Sequence, residues 1–201
     1  QHLNAVKAAE SAGVKHVIYT SLIEPIDSAV KFAPDHAGTE QALAESSLDW
    51  TILRNNVYMD MIPANINRAY QMGGLFSASG DGKVANITRE DCAKAAAAAL
   101  TSSFTGQRIL NITGAEAYSS ADIATIASEI TGQPLNYVPV ELEAIIQGMV
   151  GAGLPRPLAE IFASFNTATA QGQFQAISND FDSLTYDSNC SASNFFCSYS
   201  R

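Results

Sequence analysis

The pattern that most constrains this chain is a helix, a stop and a buried strand, met twice within residues 1–55. Residues 1–13 have helical spacing: Leu3, Val6 and Ala9 or Glu10 fall about one turn apart, and Gly13 supplies a C-terminal stop. Val14–Ser21 follows as an apolar, β-rich run that closes in Thr20 and Ser21. The unit then returns. Pro34-Asp35 precedes a helical stretch from His36 to about Ser46, and Asp49–Arg54 reads as a second apolar strand ending in Arg54-Asn55-Asn56. Such alternation is the signature of βαβ units and a parallel sheet, so the fold class expected is α/β and doubly wound. Ligands of such sheets sit at the carboxyl ends of the strands.

Beyond Asn56 the chain keeps alternating. Tyr58–Tyr70 reads as a helix kinked early by Pro63. Glycine pairs bracket Leu75–Ser79, and Thr88-Arg-Glu-Asp91 reads as a capping box opening a helix from Cys92 to Leu100. Arg108–Thr113 reads as a strand. Ser119-Ser-Ala-Asp122 opens a helix that runs to Thr131 and stops at Gly132. A short strand is expected at Leu135–Val140, then helices at Glu141–Val150 and Leu158–Ala170, separated by Gly151-Ala-Gly-Leu-Pro155. The change of character near Gly114 suggests a small C-terminal α/β lobe over residues 114–184, packed on a sheet domain of residues 1–113. Residues 185–201, rich in Ser and Asn without a period, are expected to be irregular.

Composition excludes several partners. A net charge of −9 with only 11 Lys and Arg argues against nucleic acid, whose phosphates need cations. No run of about 18 apolar residues is present to span a membrane. The opening residues lack the basic region and apolar core of a signal peptide. The three cysteines, Cys92, Cys190 and Cys197, have neither CxxC nor zinc spacing, so no metal site is expected. Cys92 reads as a buried small residue in an alanine-rich helix. A reducing, cytoplasmic setting is the expectation.

Several residues could carry chemistry. Thr20 and Ser21 either cap the next segment or touch a ligand at the strand end. His36 and Glu40 lie four apart on one helix face, either as a surface pair or as a general acid beside a carboxylate. Arg54, Asn55 and Tyr58 either bind a polar ligand or tie down a loop. Lys83 is either solvated or within reach of an anion, while His2 and His16 read as structural. No G-x-G-x-x-G phosphate cradle occurs: Gly151-Ala-Gly153 follows a helix, and Gly80-Asp-Gly82 reads as a surface turn. A Ser/His/Asp hydrolase is poorly supported, because no G-x-S-x-G elbow is present.

In order and spacing, the segments AAESAGVKHVIYTSL (8–22), DHAGTEQALAESSLDWTILRNNVYMD (35–60), SASGDGKVANITREDCAKAAAAAL (77–100) and GAEAYSSADIATIASEITGQPLNYVPV (114–140) carry a resemblance. Over roughly residues 1–184 the chain resembles the NmrA-like branch of the atypical short-chain dehydrogenase/reductases, and within it the type 2 NAD(P)H:quinone oxidoreductases. The resemblance implies a partial Rossmann-like sheet with NADP, or NAD, as cofactor. It also implies direct hydride transfer to a quinone-like small molecule. Family members begin with a Gly-rich βαβ unit, so about 60–90 further residues, two to three βαβ units, are expected before Gln1. Where the Tyr-x-x-x-Lys dehydrogenases place their pair, this helix carries His36-x-x-x-Glu40, similar to the quinone-reductase pattern. By the same resemblance Tyr19, Thr20 and Ser21 are expected near the nicotinamide, Asn55 and Tyr58 near the substrate, and His36 or Tyr58 as proton donor. The alternatives are an NADP-binding redox sensor without catalysis, and an inactive fragment. A homodimer is left open.

Overall fold

The computed structural model describes residues 1–186. It opens with α1 (His2–Ser11), β1 (His16–Leu22), α2 (Ala33–Ala44) and β2 (Asp49–Asn55). β5 (Gln107–Ile112) completes a three-stranded sheet of order β1-β2-β5. Both pairings are parallel, with Leu22 beside Asn55 and Asn55 beside Ile112, so the three carboxyl ends lie in line. β2 is central, which accounts for its near-continuous apolar run: Trp50, Ile52 and Leu53 are all buried.

Side chains alternate across the sheet, and helices cover both faces. On one face Val17, Tyr19, Trp50 and Ile52 pack with Val6 of α1 and Leu43 of α2. On the other, Ile18, Leu53, Leu110 and Ile112 meet α4 (Arg89–Thr101). α4 presents Cys92, Ala95, Ala98 and Ala99 to the strands. These small side chains let the helix lie close, and the bulk comes from the sheet. Thr88 caps α4 by accepting from the Asp91 N–H at 3.0 Å, which starts the helix at Arg89, three residues before the expected Cys92.

The remaining elements build over the sheet's carboxyl end. Met59–Met61 forms one 3-10 turn leading into α3 (Ile62–Met72). Pro63 lies in the first turn of α3, where its missing N–H costs nothing, so it starts the helix and does not kink it. β3 (Leu75–Ser77) pairs with β7 (Tyr137–Pro139), and β4 (Lys83–Val84) with β6 (Tyr118–Ser119). Segments 75–84 and 118–139 are thereby tied together. α5 (Ser120–Thr131) opens on the complete Ser119/Asp122 capping box and ends at left-handed Gly132. α6 (Leu142–Gly151) and α7 (Arg156–Ala170) form a hairpin across the expected Gly/Pro break, which lets α7 begin two residues before Leu158. Asp180–Tyr186 is helical, as α8, where an irregular tail was expected from residue 185. Phe181 and Leu184 give this segment an apolar face that packs into the α4 side of the core. The remainder of the expected irregular tail, 187–201, lies outside the described residues. Among those described, no helix is long and apolar enough to cross a membrane, and no metal-binding cluster occurs.

Candidate active site at the strand ends

The carboxyl ends of β1 and β2 converge on α2. Alternation along β1 points Tyr19 and Ser21 toward that helix, one turn-spacing apart. The Tyr19 hydroxyl lies 2.8 Å from His36 Nδ1. Ser21 Oγ donates to Glu40 Oε1 at 2.6 Å. Arg54, at the end of β2, grips the same carboxylate in a two-pronged pair, Nε to Oε1 at 3.0 Å and Nη2 to Oε2 at 2.6 Å. Glu40 is only 6% exposed, so this ion pair is a nearly enclosed lock between helix and sheet.

His36 and Glu40 thus share a face of α2 but not a partner. Glu40 faces Ser21 and Arg54, and His36 faces Tyr19. Phe32 lies 5.8 Å from the His36 ring and 5.7 Å from Phe165 of α7, which continues to Phe174 at 5.9 Å. In this half-buried, partly aromatic setting, burial pushes the His36 pKa below its usual 6.5; His2 adds to this, and Glu40 and Asp35 oppose it. Burial likewise pushes the Tyr19 phenol up. At neutral pH the pair is therefore a neutral imidazole and a neutral phenol.

The other expected residues separate. Thr20 is exposed, on the opposite face of β1 from Tyr19, and its hydroxyl has no partner among the described residues. Asn55 is buried between β1 and β5, and its Oδ1 is without a hydrogen bond among the described residues. Tyr58 bridges Ile87 and lies under the Arg89 guanidinium at 5.1 Å. Among the described residues no hydrogen bond or ring contact joins Tyr58 to Tyr19, His36 or Asn55. Lys83 sits 3.9 Å from Asp122. His2 and His16 bond the hydroxyls of Thr39 and Thr51, at 2.8 and 3.0 Å.

Two groups of site residues carry no local sequence signal. The first is the segment after α7. Gln173 Oε1 accepts from the Ala29 N–H at 2.9 Å, and the Phe174 carbonyl accepts from Ala85 N and Asn56 Nδ2 at 2.9 and 3.0 Å. It fastens the loop after β1 to the end of β2. The second group lines a cavity of about 210 Å³ among α3, α5 and α7, with Ser77, Asn86, Ser120 and Asn166 in its wall. Asn86 links this cavity to the sheet edge, since its Nδ2 donates to the Val57 carbonyl at 3.1 Å.

Residues 1–103 match the model of the NAD(P)H-binding family. The chain belongs to this family. It is 31% identical to quinone oxidoreductase 2 of Escherichia coli over 172 residues, 86% of this chain and 60% of that protein. It is 31% identical over 185 residues to the NmrA-like oxidoreductase flvB of Aspergillus flavus, covering 88% of this chain and 59% of the other. The chain thus spans about 60% of the length of these curated relatives. The structure of the Escherichia coli NADPH-dependent quinone oxidoreductase complexed with NADPH superposes with a TM-score of 0.86 at 30% identity, over 92% of this chain and 65% of that one. The fold is therefore Rossmann-like, and the relatives are NmrA-like oxidoreductases, as the sequence segments implied.

Two polar groups at the sheet's carboxyl edge match a carboxamide chemically: Asn55 Oδ1, a fully buried acceptor without a hydrogen bond among the described residues, and the exposed, unpartnered Thr20 hydroxyl. No G-x-G-x-x-G turn occurs in the 201 residues.

Proposed function

We propose that the chain forms the nicotinamide- and acceptor-binding part of an NAD(P)H-dependent reductase of quinones or similar small acceptors, working in the reducing cytoplasm. The observation that carries this reading is the strand-end cluster of Tyr19, Ser21, His36, Glu40 and Arg54, in a chain of the NAD(P)H-binding family. Bound NAD(P)H supplies the hydride. The protein's part is to orient both reactants and to manage one proton. Thr20 and Asn55 hold the carboxamide side of the nicotinamide in this reading. Arg54 and Glu40 fix the end of β1, and through it the height of Thr20 against the cofactor.

Reduction of a quinone takes up a hydride and a proton. In this reading the neutral Tyr19–His36 pair supplies the proton, with Tyr58 as the second donor. The test is oxidation of NADPH in the presence of 1,4-naphthoquinone, followed by loss of nicotinamide absorbance. Quinone-dependent turnover that falls tenfold or more in Tyr19→Phe and His36→Gln supports the assignment. NADPH binding with no turnover would instead mark a redox sensor.

A further inference from the structure

The six residues that lead into α2, 27–32, are each held by one distant stretch, residues 160–174. Gln173 takes the first three. Its Nε2 donates to the Asp27 carbonyl at 3.1 Å, and its Oε1 accepts from Ser28 Oγ at 3.3 Å and from the Ala29 N–H at 2.9 Å. Val30 is 1% exposed and packs in one cluster with Ala168 and Phe174. The Lys31 N–H donates to Ser164 Oγ at 3.1 Å, and the Ser164 proton goes to the Ile161 carbonyl at 2.6 Å. Lys31 Nζ reaches Glu160 at 2.7 Å. Phe32 meets the Phe165 ring at 5.7 Å.

This hold matters because α2 has no side-chain cap. Its N-cap, Phe32, offers no hydrogen bond to the free N–H groups of the first turn. The loop in front of it is also strained. Glu24 and Asp27, at φ 44° and 59°, are the two non-glycine residues with positive φ among those described. Such backbone persists where the surroundings over-determine it, and Gln173 does that at Asp27. His36 lies one turn into α2, so its height beside Tyr19 follows from where the lead-in and Phe32 are held. Phe32 is the link, 5.8 Å from the imidazole and 5.7 Å from Phe165. The charged groups that act on this imidazole are His2 of α1 and Asp35 and Glu40 of α2. β1 brings the Tyr19 phenol, and what α7 brings, through Phe32, is an aromatic ring.

We propose that Phe165 and Gln173 are positioning residues for His36: they hold Phe32 and the lead-in to α2, and so keep the imidazole enclosed beside Tyr19. The proposal deepens the reductase reading and rests on it for what His36 does; the placement of the ring is independent of turnover.

The experiment is an NMR titration of the imidazole protons in the full chain, beside NADPH oxidation with 1,4-naphthoquinone. The chain has three histidines, and His2→Gln, His16→Gln and His36→Gln assign their signals. In Phe165→Leu and in Gln173→Leu the His36 midpoint is expected to rise toward 6.5, as water reaches the ring. His16, bonded to Thr51 on the other face of β1, is the reference and is expected to stay where it is. Both variants are expected to lose about threefold or more in kcat at an unchanged KM for NADPH, because Thr20 and Asn55 are untouched. Ser164→Ala, which removes the acceptor of the Lys31 N–H, is a milder variant, read in the same way should either of the others not fold. An unmoved His36 signal in the folded variants overturns the proposal. So does a His36 shift shared by His16, which reports loosening of the whole chain. A shift confined to His36 in a chain without quinone turnover overturns the reductase reading and leaves the positioning standing. Turnover with His36 unmoved in the variants does the reverse.

Discussion

Removing Arg54 tests whether the Glu40 lock holds helix and sheet together. Arg54→Met keeps the length and apolar stem of the side chain but strands Glu40 at 6% exposure, with Ser21 as its remaining donor. Removing one partner of a buried pair costs about 3–5 kcal/mol, because an uncompensated charge stays in the interior. In a chain of 201 residues each kcal/mol moves Tm by about 2–4 °C, so the expected fall is roughly 6–20 °C. Replacing both partners, Glu40→Leu with Arg54→Met, removes the stranded charge. It leaves one unsatisfied hydroxyl on Ser21, worth about 1–3 kcal/mol. The double variant is therefore expected to be more stable than Arg54→Met alone, and adding Ser21→Ala to recover part of the remaining loss. Urea unfolding of wild type, both singles and the double closes the cycle. A cost below about 1 kcal/mol for Arg54→Met would place the pair with solvent-exposed ion pairs and refute the lock. Additive costs for the two singles would refute it equally.

Because burial holds the His36 pKa below 6.5, the unfolded chain takes up the proton first as pH falls. The His36 contribution to stability is thus complete above about pH 6.5 and is lost as pH drops toward the folded value, so Tm should fall in mildly acidic buffer, less steeply in His36→Gln. Burial pushes the Cys92 thiol up to about 11; a maleimide at neutral pH should leave Cys92 unlabelled in the native protein and label it in urea, as read by peptide mass mapping. A Cβ at Gly114 would fall 2.1 Å from the Asn86 carbonyl oxygen. Gly114→Ala should therefore cost about 1–3 kcal/mol in urea unfolding.

What was legible in the sequence is what local pattern encodes. The apolar runs at Val14–Ser21 and Asp49–Arg54 place two parallel strands side by side, and the Ser119–Asp122 box starts α5 at its observed residue. Partners distant in the chain leave no such trace. The four-residue spacing of His36 and Glu40 shows a common helix face, yet their partners, Tyr19 for one and Ser21 and Arg54 for the other, are decided only when β1 and β2 lie together. Arg54 was open between ligand binding and tying down a loop; it ties α2 to β2. The cavity is less legible still, because Ser77 and Asn166 meet across 89 residues and Gly80-Asp-Gly82 looks like any surface turn. Gly82 has a stricter role than that: a Cβ there would fall 2.1 Å from the Thr169 carbonyl oxygen, so the turn packs directly on α7.

The central proposal is that Thr20 and Asn55 hold the nicotinamide end of the cofactor. Saturation-transfer NMR of NADPH in the presence of the full chain tests it most directly, since it reports which ligand protons touch protein. The account predicts strong transfer to the nicotinamide protons and weak transfer to the adenine protons, with the nicotinamide signal reduced in Asn55→Ala. Transfer dominated by adenine, or a nicotinamide signal indifferent to Asn55→Ala, would contradict it.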